Sequence, residues 1–168
     1  MSIAINIEVN DLIENAPERS LLVNWAKLAL SDYEDDVVLS LLICDENEGR
    51  RLNKKFRSID KATNVLSFPF EFPIGVPKEE IDNYLGDIVI CAPIVKKEAI
   101  EQSKKESAHW AHIFIHGILH LIGFDHKNEK DSEKMEKKEC EILNKIGFSD
   151  PYKAPVSTKS TLDKSQNL

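Results

Sequence analysis

The segment 116–126 reads HGILHLIGFDH and places three histidines, His116, His120 and His126, within eleven residues. Imidazole is a common zinc ligand, and catalytic zinc sites use three protein ligands and leave one position open. The apolar residues before Gly123 predict a helix, on which residues four apart share a face, so His116 and His120 can bind one ion. Gly123 can adopt a left-handed backbone conformation and turn the chain, which lets His126 complete a three-histidine metal site.

Two further histidines, His109 and His112, lie upstream on the same predicted helix. A set formed by His112, His116 and His120 would span eight residues, or roughly 12 Å along a helix. One ion with metal–nitrogen bonds of about 2.1 Å cannot bridge that distance. The third ligand must therefore come from beyond the turn, and His126 is the candidate. We predict that His109 and His112 pack in the core or hydrogen-bond near the site.

The same histidine spacing occurs in the metzincin class of zinc proteases, in which a Glu follows the first histidine directly. That Glu is the general base of peptide hydrolysis. This chain has Gly117 at the corresponding position. Gly117 has no side chain for acid–base chemistry, so a protease or peptidase is the weaker hypothesis.

A cluster of cations precedes the histidine segment in an otherwise acidic chain with a formal net charge of −7. Proteins that bind nucleic acids usually present basic surfaces, because contacts with phosphates supply most of their affinity. The cations are Arg50, Arg51, Lys54, Lys55, Arg57 and Lys61, with Asp60 as the only acid among them. On a helix Arg50, Lys54 and Arg57 share a face, which could bind phosphates. The alternative is a solvated helix face flanked by the acidic residues before it.

Three more segments stand in order along the chain with the histidine motif: LNKKFRSIDKATNVLSFPF at 52–70, LGDIVI at 85–90, and a helix that ends in EILNKIGFSDPY at 141–152. Together the four segments resemble the YbeY-type endoribonucleases of rRNA maturation, over residues from about 40 to 152. Many members of that family have Asp where this chain has Asn64, so we assign Asn64 no role that requires a charge.

The resemblance implies a single-strand-specific, zinc-dependent endoribonuclease that acts in rRNA maturation and ribosome quality control. One Zn²⁺ on the three histidines is the implied cofactor. Single-stranded RNA or rRNA and the small ribosomal subunit with its assembly factors are the implied partners. The oligomeric state is left open. Three imidazoles also suit nickel, cobalt or copper, and zinc is favoured as the usual occupant of such sites.

Arg57 lies in the matching segment 52–70 and fits the role of a catalytic phosphate clamp. Its planar guanidinium is always charged and can bind two phosphate oxygens at once. The predicted substrate-binding residues are Arg50, Lys54, Lys55 and Lys61. Asp125 and Asp87 could each orient a histidine ligand through its second ring nitrogen. A role in a cap or turn is equally compatible with both aspartates.

A non-catalytic ribosome-associated factor with a structural zinc is a second alternative to the nuclease. The open fourth coordination position implied by three histidines counts against it, because structural zinc sites are closed by four protein ligands. Phe68, Phe70 and Phe72 recur at alternate positions and could stack on unpaired bases. Packing in the core is the favoured interpretation of these three rings.

The elements around these residues alternate between strands and helices and predict an α+β fold with a single mixed β-sheet covered by helices and the metal site at the end of a central helix. The predicted strands are 3–9, 37–44, 65–70 at a sheet edge, and 85–92. The predicted helices begin near Glu18, after Asp45, at Pro93, at the cap Ser107 and at Glu129. We expect 72–83 to form a loop.

The length of 168 residues predicts one metal-dependent hydrolase domain, 1–152. The tail 153–168 is rich in Ser, Thr and Lys, so we expect it to be disordered. No secretory signal or long apolar run is visible, and no C-x-x-C pair occurs among the three cysteines. These features predict a cytoplasmic protein with no membrane segment and with reduced thiols.

Overall fold

The computed structural model describes residues 2–71, 75 and 83–152 of the chain. Within them the elements follow in the order β1 (Ile3–Val9), α1 (Arg19–Ala29), β2 (Val37–Cys44), α2 (Glu46–Arg57), β3 (Val65–Pro69), β4 (Tyr84–Cys91), α3 (Ala92–Glu101), α4 (Glu106–Leu121) and α5 (Glu129–Lys145). Strands and helices are both present in quantity, which confirms the predicted α+β class.

The four strands form one mixed sheet in the order β1-β2-β4-β3. β1 pairs with β2 and β2 with β4 in parallel, whereas β3 runs antiparallel to β4. β3 therefore lies at the edge of the sheet, as predicted for 65–70. Pro69 ends this strand, where a residue without a backbone N–H is tolerated.

Helix α4 lies at the centre of the fold, and eleven of its sixteen residues are buried. Phe114 and Ile118 belong to the same hydrophobic core as Leu41 of β2 and Ile88 of β4. A helix that is apolar on nearly all sides must be enclosed by other elements, and α1, α3 and α5 pack around this one. The core thereby fixes the direction of α4 and the position of its C-terminal end.

The opposite face of the sheet carries α2 over a smaller apolar cluster that contains Cys44 and Cys91. The predicted cap of this helix is confirmed, because the Asp45 side chain accepts a hydrogen bond from the Glu48 N–H at 2.9 Å. The helix ends at Ser58, whose φ of 60° turns the chain away. Arg57 is thus the last residue of α2.

Several predicted boundaries differ from the structure. The helix expected from Pro93 ends at Glu101, and α4 begins at Glu106 rather than after a Ser107 cap. Between the two helices Ser103 adopts a left-handed backbone conformation, with a φ of 54°, that interrupts the helical conformation. In the sequence, a serine is a weaker turn signal than Gly or Pro. Nearly all of the predicted loop 72–83 and all of the tail 153–168 lie outside the described residues. No helix of the described part could cross a membrane.

Candidate metal centre

The structure brings the three predicted histidines together at the end of α4. Their ligand atoms all lie within 4.8 Å of one another. The Nε2 atoms of His116 and His120 are 3.1 Å apart, and the ring centres of His120 and His126 are 5.0 Å apart. Nitrogens that bind one tetrahedral zinc ion at about 2.1 Å are separated by about 3.4 Å. The donor set therefore fits a metal ion without a change of fold.

The turn after α4 delivers the third histidine. Gly123 has a φ of 104°, in the left-handed region that favours glycine, and its N–H donates to the His120 carbonyl. The Asp125 carboxylate accepts a hydrogen bond from the His126 backbone N–H at 2.8 Å. Asp125 thus stabilises the turn through the backbone, which is one of the two roles that its position allowed.

The surroundings of the cluster favour the neutral form of the His120 imidazole. Burial lowers the pKa of the His120 imidazole, and the nearby rings of His116 and His126 lower it further. A lowered pKa favours the neutral imidazole, which is the form that binds metals. His120 also lies in the last turn of α4, where the partial negative charge of the helix end attracts cations.

Glu139 of α5, which the sequence analysis did not identify, contacts the histidine cluster through His116. Its carboxylate is fully buried and lies 3.1 and 3.2 Å from His116 Nδ1. His112 Nε2 lies 2.8 Å from the same carboxylate, and the Tyr152 hydroxyl donates to it at 2.6 Å. Burial alone would raise the pKa of Glu139, but the hydrogen bonds from His112 and His116 outweigh burial and lower it to about 2.

The ionised Glu139 decides which nitrogen of His116 can bind a metal. A hydrogen on Nδ1 that is donated to a carboxylate leaves the Nε2 lone pair free for the ion. This pairing also explains His112, which hydrogen-bonds near the site as predicted. Glu139 is the one charged residue of α5 that is buried. A signal existed, because Met135, Glu139 and Ile142 share the helical stripe that packs on α4.

His112, His116 and Glu139 form a second group whose ligand atoms lie within 4.8 Å of one another. The two groups share His116, which presents Nε2 to one and Nδ1 to the other. The hydrogen bonds of the second group already satisfy its buried carboxylate. The first group is partly exposed and opens into a cavity, so it is the better candidate for a metal that meets a substrate.

A cavity of about 740 Å³ joins the histidines to Arg57. Arg57 donates from one terminal nitrogen to the Ser67 carbonyl at 2.9 Å, and its guanidinium carbon lies 4.7 Å from the Phe68 ring centre. These contacts hold the guanidinium at the cavity that the three histidines also line. No carboxylate pairs with it among the described residues, so its charge is free to meet an anion.

Gly117 packs directly against the sheet. A Cβ at this position would lie 3.2 Å from Ile88 Cγ2 and 3.3 Å from Ser67 Oγ, closer than side chains normally pack. The Ser67 hydroxyl also donates to the Gly117 carbonyl at 3.2 Å. The Glu that a metzincin protease requires could stand there only if Ile88 and Ser67 moved by a few tenths of an ångström.

The other predicted site residues divide into two groups. Lys54, Lys55 and Lys61 are exposed on and just after α2. Arg50 instead forms two hydrogen bonds with Asp60, at 2.7 and 3.0 Å, which neutralise its charge. Asp87 does not lie beside the histidines that it was suggested to orient. Strand β4 turns the Asp87 side chain to the face of the sheet opposite α4, where the Tyr84 hydroxyl donates a hydrogen bond to it.

The described fold and the histidine cluster define a class, an α+β protein with a candidate metal centre facing a cationic wall. Residues 5–147 match the family model described as endoribonuclease YbeY. The endoribonuclease YbeY of Nitrosococcus oceani is 42% identical over 92% of this chain and 99% of its own length. That of Cellvibrio japonicus is 45% identical over 88% of this chain and 82% of its own length.

The chain belongs to the endoribonuclease YbeY family, as the resemblance predicted. A solution structure from Thermotoga maritima matches 89% of this chain and 99% of its own length, with 28% identity and a TM-score of 0.52. This likeness agrees with the single mixed sheet described above.

Proposed function

We propose that this protein is a single-strand-specific, zinc-dependent endoribonuclease that acts in the cytoplasm on rRNA during ribosome maturation and quality control. The observation that carries the proposal is the shared cavity, with three histidines on one wall and Arg57 on the other. Relatives that match nearly the whole chain bear the name endoribonuclease. The small ribosomal subunit and its assembly factors are the partners that this role requires.

His116, His120 and His126 would hold the zinc ion, which when bound supplies Lewis-acid chemistry and activates water. The chain's own residues prepare that chemistry. Glu139 keeps the Nδ1 hydrogen of His116 in place, so that Nε2 faces the cavity. Arg57 would bind two non-bridging oxygens of the scissile phosphate and stabilise the charge that develops there.

The exposed lysines of α2 extend the cationic surface away from the cavity. Lys54 and Lys55 precede Arg57, and Lys61 follows it after the turn. Phosphates on either side of the scissile bond would meet these side chains, which supply affinity without reading sequence. A protein with net negative charge can bind RNA in this way because its free cations lie together.

Two alternatives fit the structure less well. A zinc protease would need a base at position 117, where this chain has glycine packed closely against Ile88. A factor with a structural zinc would need a fourth protein ligand, and none joins the three histidines within the described residues.

The test compares cleavage of a single-stranded RNA by the native protein and by Arg57→Ala, with metal content and thermal unfolding recorded. Arg57 lies on the surface of the cavity, so the variant should keep its metal and its fold. We expect the cleavage rate to fall by about 10²–10³-fold, as for the loss of one preorganised donor to the transition state. The matched control is Arg51→Ala, because Arg51 is on the same helix and pairs with Glu48 at 2.6 Å.

Equal cleavage by the native protein and Arg57→Ala would indicate a contaminating nuclease and overturn the proposal. Loss of cleavage in Arg51→Ala as well would remove Arg57 from its specific role.

A further inference from the structure

Two aromatic rings lie beside Arg57 and are not used by the proposed chemistry. Phe56 lies in the last turn of α2, directly before Arg57, and remains 50% exposed, although a large apolar side chain gains by burial. Its ring meets the Phe68 ring edge to face, with the ring centres 5.3 Å apart and an angle of 64° between the planes. We call Phe56 and Phe68 the aromatic pair.

Cations flank the aromatic pair on both sides. Lys55 Nζ lies 5.1 Å from the centre of the Phe56 ring, and the Arg57 guanidinium carbon lies 4.7 Å from the centre of the Phe68 ring. Both distances are within the range of a cation–π contact. A strand of nucleic acid offers the matching chemistry, because its phosphates can meet the cations while its bases meet the rings.

The aromatic pair lines one of two cavities, and Arg57, which contacts Phe68, lines the other. The metal centre and Arg57 line the first. Phe56 and Phe68 line the second, of about 800 Å³, on the face of the sheet opposite α4. The lining of the second cavity includes the apolar residues Leu42 and Val89 and the polar residues Ser40 and Asn6. Asp87 and Glu8 also line it, together with Arg19. Carboxylates repel phosphates but can accept hydrogen bonds from the amino groups of bases, so the second cavity suits a base and not a phosphate.

We propose that the aromatic pair is a stacking subsite for one unpaired base of the RNA, adjacent to the phosphate that Arg57 binds. The base would stack on the half-exposed Phe56 ring, displacing the exposed Lys55 side chain that lies over it, and enter the second cavity. This inference rests on the proposed function, which it extends by stating how single strands are distinguished from duplexes. A base held in a duplex cannot leave its stack to reach the ring without a cost in free energy.

The experiment measures, by fluorescence anisotropy with metal content recorded, the dissociation constant of the metal-loaded protein for a 2′-O-methyl single-stranded RNA. Gel electrophoresis after each titration checks that this RNA is still intact, because a metal-activated water would not need the 2′-hydroxyl. Phe56→Ala should raise this constant by roughly 5- to 30-fold, the lower part of the range for one base stacked on an aromatic ring. Phe56→Trp should restore binding because it keeps a flat ring. Phe56→Leu should not, because it keeps only the apolar volume. Affinity for a duplex of the same sequence should stay unchanged in all three.

The matched control is Ile100→Ala, since Ile100 of α3 is 70% exposed and lies outside both cavities. It should bind like the native protein. A series of RNAs with one abasic residue each identifies the base: at one position the native protein should lose as much affinity as Phe56→Ala, and the combination should lose no more.

Unchanged binding by Phe56→Ala, or full binding by Phe56→Leu, would overturn the stacking subsite. An equal loss for single-stranded and duplex RNA would overturn it too. Arg57→Ala, measured in parallel for cleavage, separates the two proposals: if it loses cleavage while Phe56→Ala binds normally, only the stacking subsite fails. Native protein that neither binds nor cleaves single-stranded RNA would overturn both.

Discussion

The two walls of the metal cavity are built in opposite ways. Two residues of the histidine wall lie on the buried helix α4, and Glu139 of α5 orients His116 through a hydrogen bond. The arginine wall is the exposed end of α2, where Arg57 is anchored by a backbone carbonyl and an aromatic ring. A metal ion tolerates only small errors in ligand position, whereas phosphate oxygens can be met by flexible cations. The rigid wall should therefore respond to substitution more steeply than the exposed one.

Removal of one histidine ligand should abolish both metal binding and RNA cleavage. His120→Ala should lose bound metal and reduce RNA cleavage to the level of buffer alone, because two imidazoles cannot hold the ion in an open site. Metal analysis and a cleavage assay on the same preparation check this outcome. Removal of metal from the native protein with a chelator should give the same loss, and added zinc should restore activity only in the native protein. Full metal occupancy in His120→Ala would exclude it as a ligand.

The carboxylate behind the histidine wall should have a smaller but measurable effect. Glu139→Gln keeps the side-chain shape but cannot accept both histidine N–H groups as an anion, so we expect zinc affinity to fall by about 10- to 100-fold. Competition with a chromophoric chelator measures the change. Glu133→Gln serves as the control, since Glu133 is an exposed residue of the same helix. Equal zinc affinity in the native protein and Glu139→Gln would show that packing alone orients His116.

The exposed lysines that extend the arginine wall should have the smallest effect. Replacement of both Lys54 and Lys55 by Ala should weaken RNA binding a few-fold at low salt and make the slope of log affinity against log salt shallower by up to about 1.4, or 0.7 for each lost phosphate contact. Titrations at several salt concentrations provide the slope. The control removes Arg50 together with Asp60, a pair that already cancels its own charge. An identical salt slope after loss of the two lysines would mark them as a solvated surface.

The sequence was informative where contacts are local. His116 and His120 are one helical turn apart, and Gly123 and His126 follow within a short turn, so their spacing alone indicated that they could meet. The cap of α2 was predictable for the same reason, because Asp45 reaches only to Glu48. The family resemblance added Arg57, which its local pattern would not distinguish from the other cations of α2.

Long-range contacts were not predictable in the same way. Glu139 is 23 residues from His116 and meets it only because α5 packs its apolar stripe on α4. Arg50 and Asp60 are ten residues apart and pair because the chain turns back after Ser58. Asp87 was a candidate from its neighbours in sequence, but the alternation of β4 turns it to the other face of the sheet.

The sequence by itself therefore determined the candidate ligand set and the elements that carry it, because helical periodicity and a glycine turn act over a few residues. Only the tertiary structure decided which cations stay free, which carboxylate orients His116, and that Phe56 and Phe68 lie together beside Arg57. Those outcomes depend on how distant segments pack, and the place of Glu139 on the apolar stripe of α5 does not indicate which residue of another element it meets.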